Sequence, residues 1–159
     1  MKRWFWFFLV GPQLFLAAQW LQDLGAPPLD MAVLMSLFLA FFAERGALPW
    51  LLLGAALGRA LVDDAGVPVQ ILVLGLPTAC LLPLRAWFFG QRWFWQVLAA
   101  AVGALMVPYV AMLCGRWFDQ PSASAVIDSW RVFWAALLLP PLLAVLRRLP
   151  PLHAFEEVS

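Results

Sequence analysis

The stretch LLLGAALGRALVDDAGVPVQILVLGLPTACLL, residues 51–82, contains two long apolar runs joined by a short polar turn. The runs are continuously apolar rather than apolar at every second position, which indicates helices and not the alternating strands of a membrane barrel. Arg59 lies inside the first run, and Asp63 and Asp64 follow at its end. Apolar runs with so few charges predict two neighbouring helices whose solvent is lipid.

The composition of the whole chain supports the same interpretation. Of 159 residues, 65% are hydrophobic and 12% are charged. A water-soluble domain of this size has too much surface for its volume to hide so large an apolar fraction. The sequence therefore predicts an all-α integral membrane protein with one transmembrane domain, residues 1–159. A formal net charge of +1 provides no basic surface for nucleic acid.

Six apolar runs predict six transmembrane helices. The second and third runs fall short of the roughly 20 residues that a straight crossing needs, so we expect them to include interfacial residues or to thin the bilayer. The first run is long, rich in bulky aromatic residues and without a clear cleavage site, which favours a retained span over a signal peptide. The predicted helices cover about residues 4–21, 29–43, 47–62, 65–84, 93–114 and 132–146.

The charges between the runs predict the orientation of the chain. With alternating crossings and an inner amino terminus, seven basic residues lie inside and two, Arg116 and Arg131, lie outside. Cytoplasmic loops of membrane proteins carry such an excess of basic residues. We therefore expect both termini on the cytoplasmic side of the membrane. The inner basic residues are Lys2, Arg3, Arg45, Arg85, Arg92, Arg147 and Arg148.

Small and charged residues of the third run are candidates for helix packing or partner contact. Gly54 and Gly58 lie four apart on one helix face, where small residues let two backbones approach closely, either within the bundle or against a partner protein. Arg59 is costly in the membrane unless it snorkels to the headgroups or pairs with Asp63, one turn further on. Such a pair would bind substrate in a transporter but fix helix register in a scaffold, the interpretation we favour. Asp64 points elsewhere, toward headgroups or a partner.

Tryptophan and arginine gather near the predicted inner surface, in WFWFF (residues 4–8) and RAWFFGQRWFW (residues 85–95). Indole rings favour the headgroup level and arginine binds lipid phosphate, so these residues are typical of interfacial anchors. A docking surface for a cytoplasmic protein is the alternative. The candidate anchors are Trp4, Trp6, Arg85, Trp87, Arg92, Trp93 and Trp95.

The sequence offers little for catalysis. His153 is the only histidine and follows a Pro-Pro pair near the carboxyl terminus, where a histidine is usually solvated. No serine has a histidine base within reach, and no phosphate-binding glycine pattern occurs. We therefore expect a protein that is not an enzyme and that uses no cofactor or metal.

The order of these features resembles the MreD family of small rod-shape-determining membrane proteins. The second span begins at PPLD (residues 27–30), and the third leads through GAALGRALVDDAGVP (residues 54–68) into the fourth. The fifth begins near RWFWQVLAAAVGAL, and the sixth is contained in SWRVFWAALLLPPLLAVLRRL. The resemblance covers most of the chain. The six-helix plan is also similar, at the level of fold alone, to the substrate-binding subunits of energy-coupling-factor vitamin transporters.

The resemblance implies a non-enzymatic scaffold of the bacterial cell-wall elongation complex. It would bind MreC directly. It would also help couple MreB filaments to peptidoglycan synthesis by RodA and its partner class B penicillin-binding transpeptidase. The alternative is a substrate-binding membrane subunit of a small-molecule, vitamin-type transporter. Its cavity would need convergent polar side chains, for which the candidates are Gln13, Gln19, Gln70, Thr78 and Gln96.

Overall fold

The computed structural model describes residues 2–26, 30–43, 45–85, 93–119 and 129–146, without the side chains of residues 2–9, 93, 139, 140, 143 and 146. As predicted, the fold is all-α, and no strand occurs in these ranges. A 3₁₀ turn at Leu82–Leu84 follows the fourth helix. The helices are α1 (Lys2–Asp23), α2 (Met31–Phe42), α3 (Leu48–Ala60), α4 (Val67–Leu81), α5 (Trp93–Phe118) and α6 (Ser129–Leu146).

Several helix limits differ from the predicted ones. The fourth α-helix ends at Leu81, and residues 82–84 form the 3₁₀ turn because Pro83 has no N–H to continue the α-helical ladder. The fifth continues four residues beyond Cys114, through GRWF, and the sixth begins at Ser129 rather than at residue 132. Both extensions contain tryptophan and arginine, and the first also contains Phe118, residues that the apolar-run criterion leaves outside a span.

Helix α2 lies at the centre of the bundle. Every residue from Ala32 to Phe42 is buried, and most of their side chains are 0–1% exposed. The other five helices all contact α2, and their own neighbour contacts run in the order α1, α3, α4, α5, α6 around it. With 12 residues, α2 is only about 18 Å long, well short of the roughly 30 Å hydrocarbon core of a bilayer.

Contacts define two ends of the bundle. Arg85, after α4, reaches the end of α2 at Ala43, so α2 and α4 run in the same direction. Arg59, near the end of α3, interacts with Asp30 at the start of α2, so α3 runs the opposite way. We call these the Arg85 end and the Asp30 end.

Helix α5 runs antiparallel to α2 and extends past it. Gly103 of α5 lies against Val33 and Leu37 of α2, so closely that a Cβ added to it would be only 3.1 Å from Cγ1 of Val33. From Gly103, α5 continues for 15 residues to Phe118, a length of about 22 Å. On α2, the contact residue Val33 is only two residues from the first helical residue, Met31. The Asp30 end of α2 therefore lies within the length of α5.

The outward faces of the helices are apolar. Leu72 and Leu76 of α4, Leu105 of α5 and Leu137 of α6 are 37–46% exposed. Two helical stretches, Val67–Leu84 and Phe94–Phe118, are long and apolar enough to cross a membrane, while α2 and α3 are shorter apolar helices. The second and third apolar runs therefore form short helices, of 12 and 13 residues, as their lengths in the sequence predict.

Candidate functional site

Asp30 begins α2 as its N-cap residue. Its extended backbone (φ −81°, ψ 92°) turns the side chain onto the first turn, where Oδ1 accepts hydrogen bonds from the backbone N–H of Ala32 (3.0 Å) and Val33 (3.3 Å). The first N–H groups of a helix have no partner within the helix, and a carboxylate also matches the positive end of the helix dipole. Two of the first backbone N–H groups of α2 thereby have a hydrogen-bond acceptor.

Arg59 is buried near the end of α3, with a residue exposure of 6%. Its Nη2 atom lies 3.6 Å from Oδ2 of Asp63, four residues on, and the Asp63 side chain is 12% exposed. Of the two alternatives left open by the sequence, the structure therefore has the pair rather than the snorkelling side chain. Oδ1 of Asp63 is buried and accepts no hydrogen bond from the described residues.

Asp30 is the second carboxylate beside Arg59, and sequence reasoning missed this role. Its negative charge acts on the Arg59 guanidinium, as does that of Asp63. One guanidinium and two carboxylates sum to +1 − 2 = −1, so the group has a net negative charge. We call Asp30, Arg59 and Asp63 the charge cluster. An aspartate placed directly before an apolar run was the available signal, because that position predicts a helix N-cap on the same side as Asp63.

Asp64 and the two glycines take different positions around the charge cluster. Asp64 is exposed, next to the partly buried Asp63. Gly54 and Gly58 are buried in α3. A Cβ on Gly58 would lie 2.7 Å from Cα of Pro12 and 3.1 Å from Cδ2 of Phe15, both in α1. Gly58 thus permits a backbone-to-backbone approach between α1 and α3 of the same chain, so its face belongs to internal packing.

Arg85 closes the opposite end of α2. Its Nη1 donates a hydrogen bond of 2.7 Å to the carbonyl oxygen of Ala43, the C-cap residue of α2, from 42 residues further along the chain. Ala43 is fully buried, and the last carbonyls of a helix lack partners within it. A cation at this negative end of the helix dipole stabilises it. This predicted anchor therefore has a structural contact inside the bundle.

The other predicted anchors are only partly described. Trp95 is 39% exposed and packs edge-on against Phe94, with ring centroids 5.9 Å apart. Trp87 and Arg92 lie outside the described residues, as do the side chains of Trp4, Trp6 and Trp93.

A second aromatic group, which the sequence interpretation did not single out, lies at the Asp30 end. Trp117 of α5 is 73% exposed, and Trp130 and Phe133 of α6 are each 55% exposed. Trp130 stacks on Phe133 with centroids 6.0 Å apart and meets Trp134 edge-on at 5.4 Å. The signal was present in RWF (residues 116–118) and SWRVFW (residues 129–134), which flank the last two runs as densely as the inner segments flank theirs.

The polar side chains proposed for a transport cavity do not converge. Gln13 and Gln19 are exposed on α1, whereas Gln70 and Thr78 are buried in α4. Thr78 donates to the carbonyl of Leu74 within its own helix (2.7 Å), and the Gln70 amide nitrogen is 3.5 Å from the carbonyl oxygen of Ala65, just before α4. Gln96 is half-buried on α5. These contacts satisfy local backbone groups rather than line a common binding site.

The chemistry of the described residues is electrostatic and apolar. Within the described ranges no group of three or more histidine, cysteine, aspartate or glutamate residues is arranged to hold a metal ion. The charge cluster can fix helices and attract a cation, and the Arg85 end can attract an anion. Comparison of the chain with protein-family models, with curated proteins and with solved structures found no match.

Proposed function

We propose that this chain is a multi-pass protein of the bacterial inner membrane, with six membrane helices and both termini in the cytoplasm. Two stretches with the length and apolarity of a crossing support the location, together with the exposed leucines on the outward faces. Exposed aromatic side chains at both ends of the bundle also support it, since tryptophan and tyrosine favour both interfaces of a membrane.

The charges at the two ends support the proposed orientation. Arg45 and Arg85 lie at the Arg85 end, while Asp30, Asp63 and Asp64 lie at the Asp30 end. Arg116 also lies at the Asp30 end, so the assignment depends on the whole sequence, in which seven basic residues fall in the predicted inner segments and two in the outer ones. Such an excess is typical of the cytoplasmic side and assigns the Arg85 end to the cytoplasm. The Asp30 end then faces the periplasm.

Within this membrane, the proposed role is that of an MreD-type scaffold that is not an enzyme. It binds MreC and helps couple MreB filaments to RodA and its partner transpeptidase, and so controls cell shape. The observation that carries the proposal is the adjacent acidic pair Asp63 and Asp64, of which Asp63 also contacts Arg59. Asp63 Oδ1 accepts no hydrogen bond from the described residues, and Asp64 is exposed next to it. A lysine or arginine of MreC that reaches this surface would offset the net negative charge.

The geometry favours a scaffold over a transport subunit. Arg59 is engaged with carboxylates of its own chain, which ties the end of α3 to the start of α2. A buried arginine that is paired with carboxylates of its own chain can fix the register of two helices. The same guanidinium is then not available to bind a substrate.

The test is co-purification of MreC with the D64A variant. Asp64 is exposed, so its loss leaves the charge cluster intact, and we expect about fivefold less MreC, the size of a surface ion pair of about 1 kcal/mol. The double variant D63A/D64A should lose more, but it also removes a partner of Arg59, so its thermal unfolding is measured in parallel. D23A, an exposed aspartate at the end of α1, is the matched control. Recovery of MreC with D64A at the level of D23A would refute the assigned contact.

A further inference from the structure

An apolar groove lies at the Arg85 end, where α2, the end of α4 and the start of α5 meet. Its cavity volume is about 170 Å³, and its lining is almost wholly apolar. Along α5 the groove extends from Trp95 to Val102, seven residues or about 10 Å. The lining side chains are Phe41, Leu81, Leu84, Trp95, Leu98, Ala99 and Val102.

The groove has a buried floor and an exposed rim. Phe41 and Leu81 on the floor are 0% and 1% exposed, whereas Leu84 and Leu98 on the rim are 46% and 43% exposed. A water molecule in such a site would find almost no polar partner, so a hydrocarbon is the occupant that the lining favours. The lining residues of α5 follow one another over about 10 Å of the helix, a length that part of an acyl chain can occupy.

Positive charge lies at one end of this groove. Arg85 follows the rim residue Leu84 directly, and its hydrogen bond to Ala43 fixes the guanidinium two residues beyond Phe41 of the floor. Arg45 is exposed at the same end. Trp95, on the rim, is a side chain of the kind that lies at the headgroup level. The apolar lining, together with Arg85 at one end of the groove, matches a molecule with a hydrocarbon chain and an anionic headgroup.

We propose that the groove binds one acyl chain of an anionic phospholipid from the cytoplasmic leaflet, with the lipid phosphate beside Arg85. The proposal rests on the membrane location given above, but not on MreC binding. Guanidinium groups bind phosphate through hydrogen bonds as well as charge. Both phosphatidylglycerol and phosphatidylcholine carry the phosphate, but only phosphatidylglycerol has a net negative charge, because it lacks the choline cation, and this favours it beside arginine. The bound lipid would fill the seam between α2 and α5 at the end where α2 stops short.

The first test fills the groove. Native mass spectrometry measures phosphatidylglycerol retained by the full chain and by L98W and L105W after release from detergent. Both leucines are exposed on α5, at 43% and 46%, but only Leu98 lines the groove. We expect L98W to retain about tenfold less lipid, equivalent to about 1.4 kcal/mol of binding free energy, and L105W to match the parent chain. Equal retention by the two variants would overturn the proposal.

The second test concerns the headgroup. In competition between phosphatidylglycerol and phosphatidylcholine with identical acyl chains, the parent chain should retain phosphatidylglycerol preferentially, R85Q should lose that preference, and R45Q should keep most of it. A preference unchanged in R85Q would contradict the placement of the phosphate.

If L98W changes self-association or MreC recovery while lipid retention stays the same, the groove binds protein and the proposal is wrong. Membrane fractionation distinguishes failure of the proposed location from failure of the lipid site. A chain absent from the membrane fraction would overturn the membrane location. A membrane-bound chain that retains no phosphatidylglycerol selectively would overturn only the lipid site.

Discussion

The two ends of α2 solve the same physical problem with opposite charges. At the Asp30 end, a carboxylate accepts hydrogen bonds from the first N–H groups and faces a buried arginine. At the Arg85 end, a guanidinium donates to the carbonyl of the C-cap residue. In the proposed bilayer location, a helix of about 18 Å would not reach both surfaces, so its end groups would need partners inside the protein.

The difference between the ends lies in how much charge is buried. The Asp30 end holds three charges in the charge cluster, one of them on a side chain only 7% exposed. The Arg85 end uses one half-buried arginine beside an apolar groove. We therefore expect the Asp30 end to be destabilised more when Arg59 is removed, because two partly buried carboxylates then lose their cation.

The largest effect is expected for R59M. Methionine fills a similar apolar path but leaves Asp30 and Asp63 without their cation, which should lower the free energy of unfolding by about 3–5 kcal/mol. Steric-trap unfolding in bicelles measures the loss. R116M, an exposed arginine of α5, is the control and should be close to neutral. A stability of R59M equal to that of R116M would show that the charge cluster does not stabilise the fold.

At the other end, R85M tests the closure of α2. Loss of a charged hydrogen bond to a buried carbonyl should cost about 1.5–3 kcal/mol, less than R59M, because no second buried charge is left behind. R45M removes an exposed arginine at the same end and serves as the comparison. The same unfolding assay compares R59M, R116M, R85M and R45M. A loss of unfolding free energy in R85M equal to or larger than that in R59M would contradict the proposed difference between the ends.

Helix packing beside the charge cluster is tested by G58A. The added Cβ would meet backbone atoms of Pro12, which cannot move aside as a side chain can, so we expect a loss of about 1–3 kcal/mol. In G75A the nearest atom is the side-chain Cδ2 of Leu52 at 3.2 Å, which can yield, and the change should be near zero. Thermal unfolding of the two variants distinguishes backbone from side-chain contact, and identical melting temperatures would contradict the close approach of α1 and α3.

The smallest effect separates the cap of α2 from its charge. D30N keeps a good N-cap side chain but removes the negative charge beside Arg59, whereas D30A removes both. D30A should therefore be less stable than D30N by about 1 kcal/mol. Hydrogen exchange at the amides of Ala32 and Val33 provides the local readout, with faster exchange in D30A. Equal exchange in both variants would mean that the side-chain oxygen at position 30 does not cap the helix.

Much of the fold follows from the sequence because it depends on local pattern. Continuous apolar runs predict the six helices. The four-residue spacing of Arg59 and Asp63 permits their pair but leaves a snorkelling Arg59 as the alternative, and the structure has the pair. The central place of α2 does not follow, since a run that is apolar on all faces does not show which neighbour it will contact. The reach of Arg85 to Ala43, and of Arg59 to Asp30, depends on tertiary packing across many residues.

In the proposed arrangement the two ends of the bundle lie on opposite sides of a membrane. In a chain whose Cys80 and Cys114 are replaced by alanine, single cysteines at exposed positions 64 and 45 are offered a membrane-impermeant thiol reagent in intact cells and then in permeabilised cells. We predict that D64C is labelled in intact cells and that R45C is labelled only after permeabilisation. Labelling of both positions from the same side would contradict the membrane arrangement and the cell-wall role proposed with it.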